Sequence, residues 1–163
     1  MMRIFGSFLM MNDENSFPTY SEIAHRLWQG GTPANEMIYN SMEFATAGES
    51  HPFTDVVTLD SNSNPVGWAI SELRYGFEDG PINRAEIPRI LEVADWAFEK
   101  WQKGGNVLIR CAAGANRSGL ITGIVLMKDG KSASQAIDLI RSKRSFALSN
   151  SSFVRFLHEI GGE

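Results

Sequence analysis

Val107-Leu-Ile-Arg-Cys-Ala-Ala-Gly-Ala-Asn-Arg-Ser-Gly119 is the stretch on which the reading of this chain turns. Residues 106–109 are short and mainly apolar, follow the stop signal Gly104-Gly105, and predict a fully buried strand. Just past Asn116, the apolar residues Leu120, Ile124 and Met127 fall at helical spacing up to Gly130, which predicts a helix. Cys111 to Arg117 therefore join a strand to a helix N-terminus, where unpaired backbone N–H groups and a partial positive charge can converge on one tetrahedral anion. Gly114 supplies the backbone freedom that such a curl demands. Arg117 offers a planar fork for two anion oxygens. The loop N–H groups that would hold the anion are those of Ala112, Ala113, Gly114, Ala115 and Asn116. A field that binds an anion also stabilises a thiolate, so Cys111 is a candidate nucleophile. The competing reading is a small, buried, inert side chain.

Working outward, Ile87, Leu91, Ala94, Phe98 and Trp101 recur at steps of four, three, four and three. They predict a helix opening near Asn83, with Asn83 and Glu86 at capping-box spacing and Gly104-Gly105 as the stop. Residues 23–29, 53–59 and 72–77 read as strands, 34–47 as a weak helix, and 60–65, dense in Ser and Asn, as a loop. Further helices are predicted over 134–143 and 151–160. Short apolar runs alternating with helical patterns indicate an α/β sheet layered with helices.

The 163 residues suit a single domain, 43% hydrophobic and 21% charged, with a net charge of −4. That balance argues against nucleic acid or an anionic membrane as the main partner, so any phosphate site must be positive only locally. The lone cysteine excludes an internal disulfide and a multi-cysteine metal site, and His25, His51 and His158 stand in no metal-ligand spacing. Residues 1–16 superficially resemble a signal peptide, but the polar Asn12-Asp13-Glu14-Asn15 follows with no small-residue cleavage pattern. No run approaches the ~18 apolar residues that span a bilayer. The expectation is a cytoplasmic protein with an N-terminal extension over 1–19 and one domain over 20–163.

Cys111, Gly114, Arg117 and Ser118 match the C-x2-G-x2-R-[ST] loop of the protein tyrosine phosphatase superfamily. Asp79, in the turn sequence Asp79-Gly80-Pro81 upstream of the long helix, stands where the dual-specificity branch of that superfamily places its general acid. Residues 23–30, 55–59 and 150–153 also resemble segments of that branch. The low-molecular-weight phosphatases carry the acid downstream of the loop, and rhodanese-like domains leave Asp79 unexplained. The resemblance implies a dual-specificity phosphatase-like α/β domain, with a central mixed sheet of four to five strands flanked by about five to six α-helices, and no metal or organic cofactor.

It also implies hydrolysis of phosphotyrosine, or of phosphoserine and phosphothreonine in a shallow pocket, through a phosphocysteine on Cys111. Arg117 would bind the phosphate, Asp79 would protonate the leaving oxygen, and Ser118 would help the thiolate leave. Asn150 would order the loop or the water. Glu78 is the alternative acid, and Asp79 alone would read as a turn former. Ser118 is equally an ordinary first-turn helix residue. The family's usual His before the cysteine is Arg110 here, a permanent cation that either substitutes for it or points away. The partner implied is a phosphorylated protein, with a monomer expected. The alternatives are a pseudophosphatase that captures phosphorylated partners, and a phosphatase for an inositol phosphate, phosphoinositide or RNA 5′-phosphate. No Lys or Arg lies between Cys111 and Arg117 to favour the latter group. With no second cysteine, mild peroxide should convert Cys111 to a sulfenamide or, with glutathione present, to a mixed disulfide. Mass spectrometry finding only sulfinic or sulfonic acid would contradict this.

Overall fold

A computed structural model describes residues 17–33, 37–40 and 50–163. Its first half holds β1 (Tyr20–Ala24), β2 (Leu27–Gly30), β3 (Tyr39–Asn40), β4 (Ser50–His51), β5 (Asp55–Thr58) and β6 (Ser71–Arg74). Then come a 3₁₀ turn (Arg84–Glu86), α1 (Ile87–Gln102), β7 (Val107–Arg110), α2 (Arg117–Lys128), α3 (Ala133–Lys143) and α4 (Ser151–Gly161). A five-stranded mixed sheet has the order β1-β2-β7-β5-β6, in which β1 and β2 are antiparallel and the other neighbours parallel. β3 and β4 form a separate short parallel pair.

β7 lies at the centre of the sheet, as its apolar run requires, with β2 and β5 on either side. Strand alternation sends Val107, Ile109 and Cys111 into the larger core, shared with α1, α2, α3 and α4. Leu108 joins a smaller cluster on the other face, with Ile38, Phe53, Val56 and Ile70. α2 is buried from Ser118 through Leu126, a helix apolar on all sides because the other helices pack around it.

The α/β class and the mixed sheet match expectation, while four α-helices rather than five or six are found among the described residues. The single strand expected over 23–29 is a hairpin, turning at His25-Arg26 with Arg26 at φ 64°. Residues 37–40 of the expected 34–47 helix include strand β3, and the remainder lie outside the described residues. The strands expected over 53–59 and 72–77 are shorter. α1 starts four residues after Asn83 because Pro88 has no N–H to give the carbonyl of Arg84. Asn83 instead caps the 3₁₀ turn, accepting from the Ala85 N–H. The expected extension over 1–19 falls largely outside the described residues.

Arg110 follows the same alternation and points away from Cys111. It is 2% exposed, and its Nε donates to Thr58 Oγ1 at 2.9 Å. Its Nη2 donates to the Asn64 carbonyl at 2.7 Å and to Glu72 Oε2 at 3.4 Å. Burial pushes its pKa down and the Glu72 carboxylate opposes that shift; the guanidinium remains charged. The residue that replaces the family histidine is thus a structural ion on the opposite face of the sheet. Arg110→Ala should cost about 3–5 kcal/mol in chemical denaturation, because it empties the space of a large, fully buried side chain and removes the donor to the Asn64 carbonyl, while Glu72 keeps Arg74 and Thr58. Arg84→Ala, at the exposed pair with Glu159, should leave the stability nearly unchanged. Equal losses would show that the Arg110 network is not structural.

Candidate active site

Cys111 follows β7 directly, at the carboxyl end of the parallel strands, where open α/β sheets present their ligand crevices. The loop from Cys111 to Asn116 curls onto the N-terminus of α2. Gly114 has φ +67°, and a Cβ there would lie 2.6 Å from Gly30 C and Gly31 N, so glycine is required by both angle and space. The carbonyls of the loop are tied to the surrounding protein. Ala112 O accepts from Thr32 N at 3.2 Å, and Gly114 O from Arg144 Nε at 2.8 Å and Gln29 Nε2 at 3.2 Å. Ala115 O accepts from Leu148 N at 3.3 Å and Gln29 Nε2 at 3.4 Å. Leu148 is held at φ 57° as it makes this contact. By contrast, the N–H groups of Ala112 through Asn116 have no hydrogen-bond acceptor among the described residues. They add to the free first-turn N–H groups of α2.

Cys111 is buried, with its Sγ 3.3 Å from Ser118 Oγ in the first turn of α2. Arg117 lies at the start of the same helix. Its Nη1 donates to the Phe77 carbonyl at 3.1 Å, and its Nε is buried without a partner. Arg117 borders a cleft of about 540 Å³ whose lining includes Leu59, Ser61, Phe77, Glu78 and Ile82. Ser61 is the part of the 60–68 connection that reaches this cleft, while Trp68 stands fully exposed. Burial alone would raise the Asp60 pKa. The Asn62 N–H, the Thr32 and Ser63 hydroxyls and the Arg117 cation nevertheless hold it below its ordinary value.

Asp79 is exposed and tied to the cysteine loop through two amides. Its Oδ2 accepts from Asn116 Nδ2 at 3.1 Å and its Oδ1 from Asn150 Nδ2 at 2.9 Å. Asn150 also donates to Gly80 O at 2.9 Å, while its Oδ1 caps α4 by accepting from the N–H groups of Ser152 and Phe153. Asn116 Oδ1 accepts from Asn150 N at 2.9 Å. This ring of bonds joins the cysteine loop, the Asp79 turn and the start of α4.

The structure thus places Cys111, the loop residues Ala112 to Asn116 and Ser118 at the junction of β7 and α2, ties Asp79 and Asn150 to that loop through Asn116, turns Arg117 toward the Phe77 carbonyl at the adjoining cleft, and sets Arg110 apart from them. Glu78 lines the cleft and not the ring of bonds around Asp79. Three contributions go beyond what the sequence alone indicates: the side chains of Asn116, Gln29 and Arg144. Gln29 does leave a trace, a polar residue inside a short strand next to two glycines. Arg144 leaves none, since nothing local relates it to Gly114. Among the described residues, no group of three or more His, Cys, Asp or Glu side chains is placed to hold a metal ion.

The chain matches the family described as "Dual specificity phosphatase, catalytic domain" over residues 72–162, more than half its length. It is 39% identical over 85 residues to a probable protein tyrosine phosphatase type IVA B of Dictyostelium discoideum, covering 51% of this chain and 52% of that one. It is 37% identical over 70 residues to dual specificity protein phosphatase 1 of Arabidopsis thaliana, covering 42% and 35%. The chain therefore spans about half or less of the length of these curated relatives. The fold is that of a mouse putative dual specificity phosphatase crystallised with zinc tungstate, with a TM-score of 0.71 at 22% identity over 94% of this chain and 92% of that one. Asp79, the whole cysteine loop and Asn150 all fall within the matched span, and the chain belongs to the dual specificity phosphatase catalytic domain family.

Proposed function

We propose that the protein hydrolyses phosphate monoesters on proteins, phosphotyrosine first and phosphoserine or phosphothreonine where the pocket admits them. The observation that carries this reading is the set of free N–H groups around a buried thiol, with a carboxylate tethered to the same loop through Asn116. In the first step Cys111 Sγ attacks phosphorus, and the S–P bond forms as the bond to the leaving oxygen breaks. Loop N–H groups and Arg117 carry the charge on the equatorial oxygens. Asp79, protonated, gives its proton to the leaving oxygen. In the second step the Asp79 carboxylate takes a proton from water, whose oxygen attacks phosphorus and breaks the S–P bond. Ser118, at hydrogen-bond distance from Sγ, stabilises the departing thiolate.

One observation favours a second reading, capture of a phosphorylated partner without turnover. Both Asp79 oxygens accept amide hydrogens, which hold the side chain beside Asn116 and Asn150. An Asp79 kept in that ring leaves the loop able to bind phosphate with no acid at the leaving oxygen.

Hydrolysis of a small aryl phosphate separates the readings. Wild type should turn over, Cys111→Ser should not, and Asp79→Asn should lose about 10²- to 10⁴-fold in kcat. Activity surviving Cys111→Ser refutes the mechanism, and binding of a phosphotyrosine peptide with no turnover in any of the three supports capture. Gly114→Ala should lower kcat/KM at least about 100-fold, since its Cβ displaces the loop. A rate near that of wild type would show that the loop geometry is not what catalyses.

A further inference from the structure

Gln29 and Arg144 are both buried and neither has a part in the chemistry above. Gln29, on β2 with 0% exposure, uses Nε2 on the carbonyls of Gly114 and Ala115. Arg144, 2% exposed just past α3, donates Nε to Gly114 O at 2.8 Å. Its Nη1 donates to Pro18 O at 2.8 Å and Ser21 Oγ at 3.0 Å. No carboxylate pairs with Arg144 among the described residues, which is unusual for so buried a guanidinium. Burial pushes its pKa down, a shift that a thiolate at Cys111 would oppose.

A peptide group is planar, and none here is cis, so a carbonyl drawn to one side sets the N–H of the same peptide on the other. Fixing Gly114 O therefore orients Ala115 N–H, and fixing Ala115 O orients Asn116 N–H. The need for such fixing is local. Glycine at 114 leaves the adjoining peptide free to rotate, which would turn a carbonyl toward the anion.

We infer that Gln29 and Arg144 are positioning residues that hold these two peptides with their N–H groups toward Cys111, and that Arg144 is the buried cation serving the thiolate in place of the displaced Arg110. This rests on the reading of the loop as a thiolate and anion cradle. Among the described residues, the charged groups around that loop are Arg117 on α2, Asp60 after β5, Glu78 and Asp79 after β6, and Arg144 after α3. Only Arg144 contacts a loop carbonyl from behind.

Because Cys111 is the single cysteine, its alkylation by iodoacetamide can be titrated against pH without turnover. In Arg144→Met the midpoint should rise by about one pH unit, a tenfold loss of thiolate preference, and Arg144→Lys should restore most of it. In Gln29→Leu the midpoint should rise by less, and the tungstate concentration that protects Cys111 should increase about tenfold. Gln29→Leu leaves no buried charge unpaired, so it decides the matter if Arg144→Met fails to fold. Folded variants with the wild-type midpoint and wild-type tungstate protection overturn the inference. If wild type hydrolyses no aryl phosphate yet the midpoints shift, the proposed hydrolysis fails and this inference stands. If the enzyme is active and neither the midpoints nor the tungstate protection moves, hydrolysis stands and this inference fails.

Discussion

Several peptide N–H groups turned toward one point impose a demand that shapes everything around them: the carbonyls of the same peptides must face the protein and be satisfied there. A buried carbonyl left without a donor costs about 1–3 kcal/mol, and the loop between Cys111 and Arg117 presents two of them, at Gly114 and Ala115, beside the more exposed Ala112. The donors come from far along the chain, from Gln29 and Thr32 beside β2, Arg144 after α3 and Leu148 before α4. The hairpin and the helical half of the domain meet the same six residues from opposite sides. That is why the loop needs the whole fold to exist.

The central strand performs a second separation. Cys111 and Arg110 are neighbours in sequence, yet the period of two puts the thiol in the larger core beneath the helices and the guanidinium in a polar network on the opposite face. On the thiol's side of the sheet, Arg144 reaches the cysteine loop through tertiary structure, and Arg117 stands at the start of α2. Asp79 is joined to the same assembly by side-chain amides, so movement of its turn is coupled through Asn116 to the loop and through Asn150 to α4.

Much of the strand, loop and helix around Cys111 is legible in the sequence, because a buried parallel strand reads as an apolar run and α2 repeats at helical spacing. The hairpin is hidden because its turn is His25-Arg26, with no Gly, Asn or Asp to announce the positive φ that Arg26 adopts. The onset of α1 differs from expectation because the capping signal of Asn83 serves a 3₁₀ turn, and the effect of Pro88 on the ladder outweighs it. Motif spacing locates Asp79 and Asn150 but says nothing of the amide ring that links them. Gln29 and Arg144 lie 85 and 30 residues from Gly114, contacts that no local pattern encodes.

The central claim is that phosphorus passes through Cys111. Mixing the Asp79→Asn variant with a ³²P-labelled aryl phosphate, quenching in acid within one turnover and mapping the label tests it most directly. A phosphorylated peptide containing Cys111, formed faster than inorganic phosphate appears, is the result expected. Phosphate released with no labelled protein, or label on another residue, would contradict it.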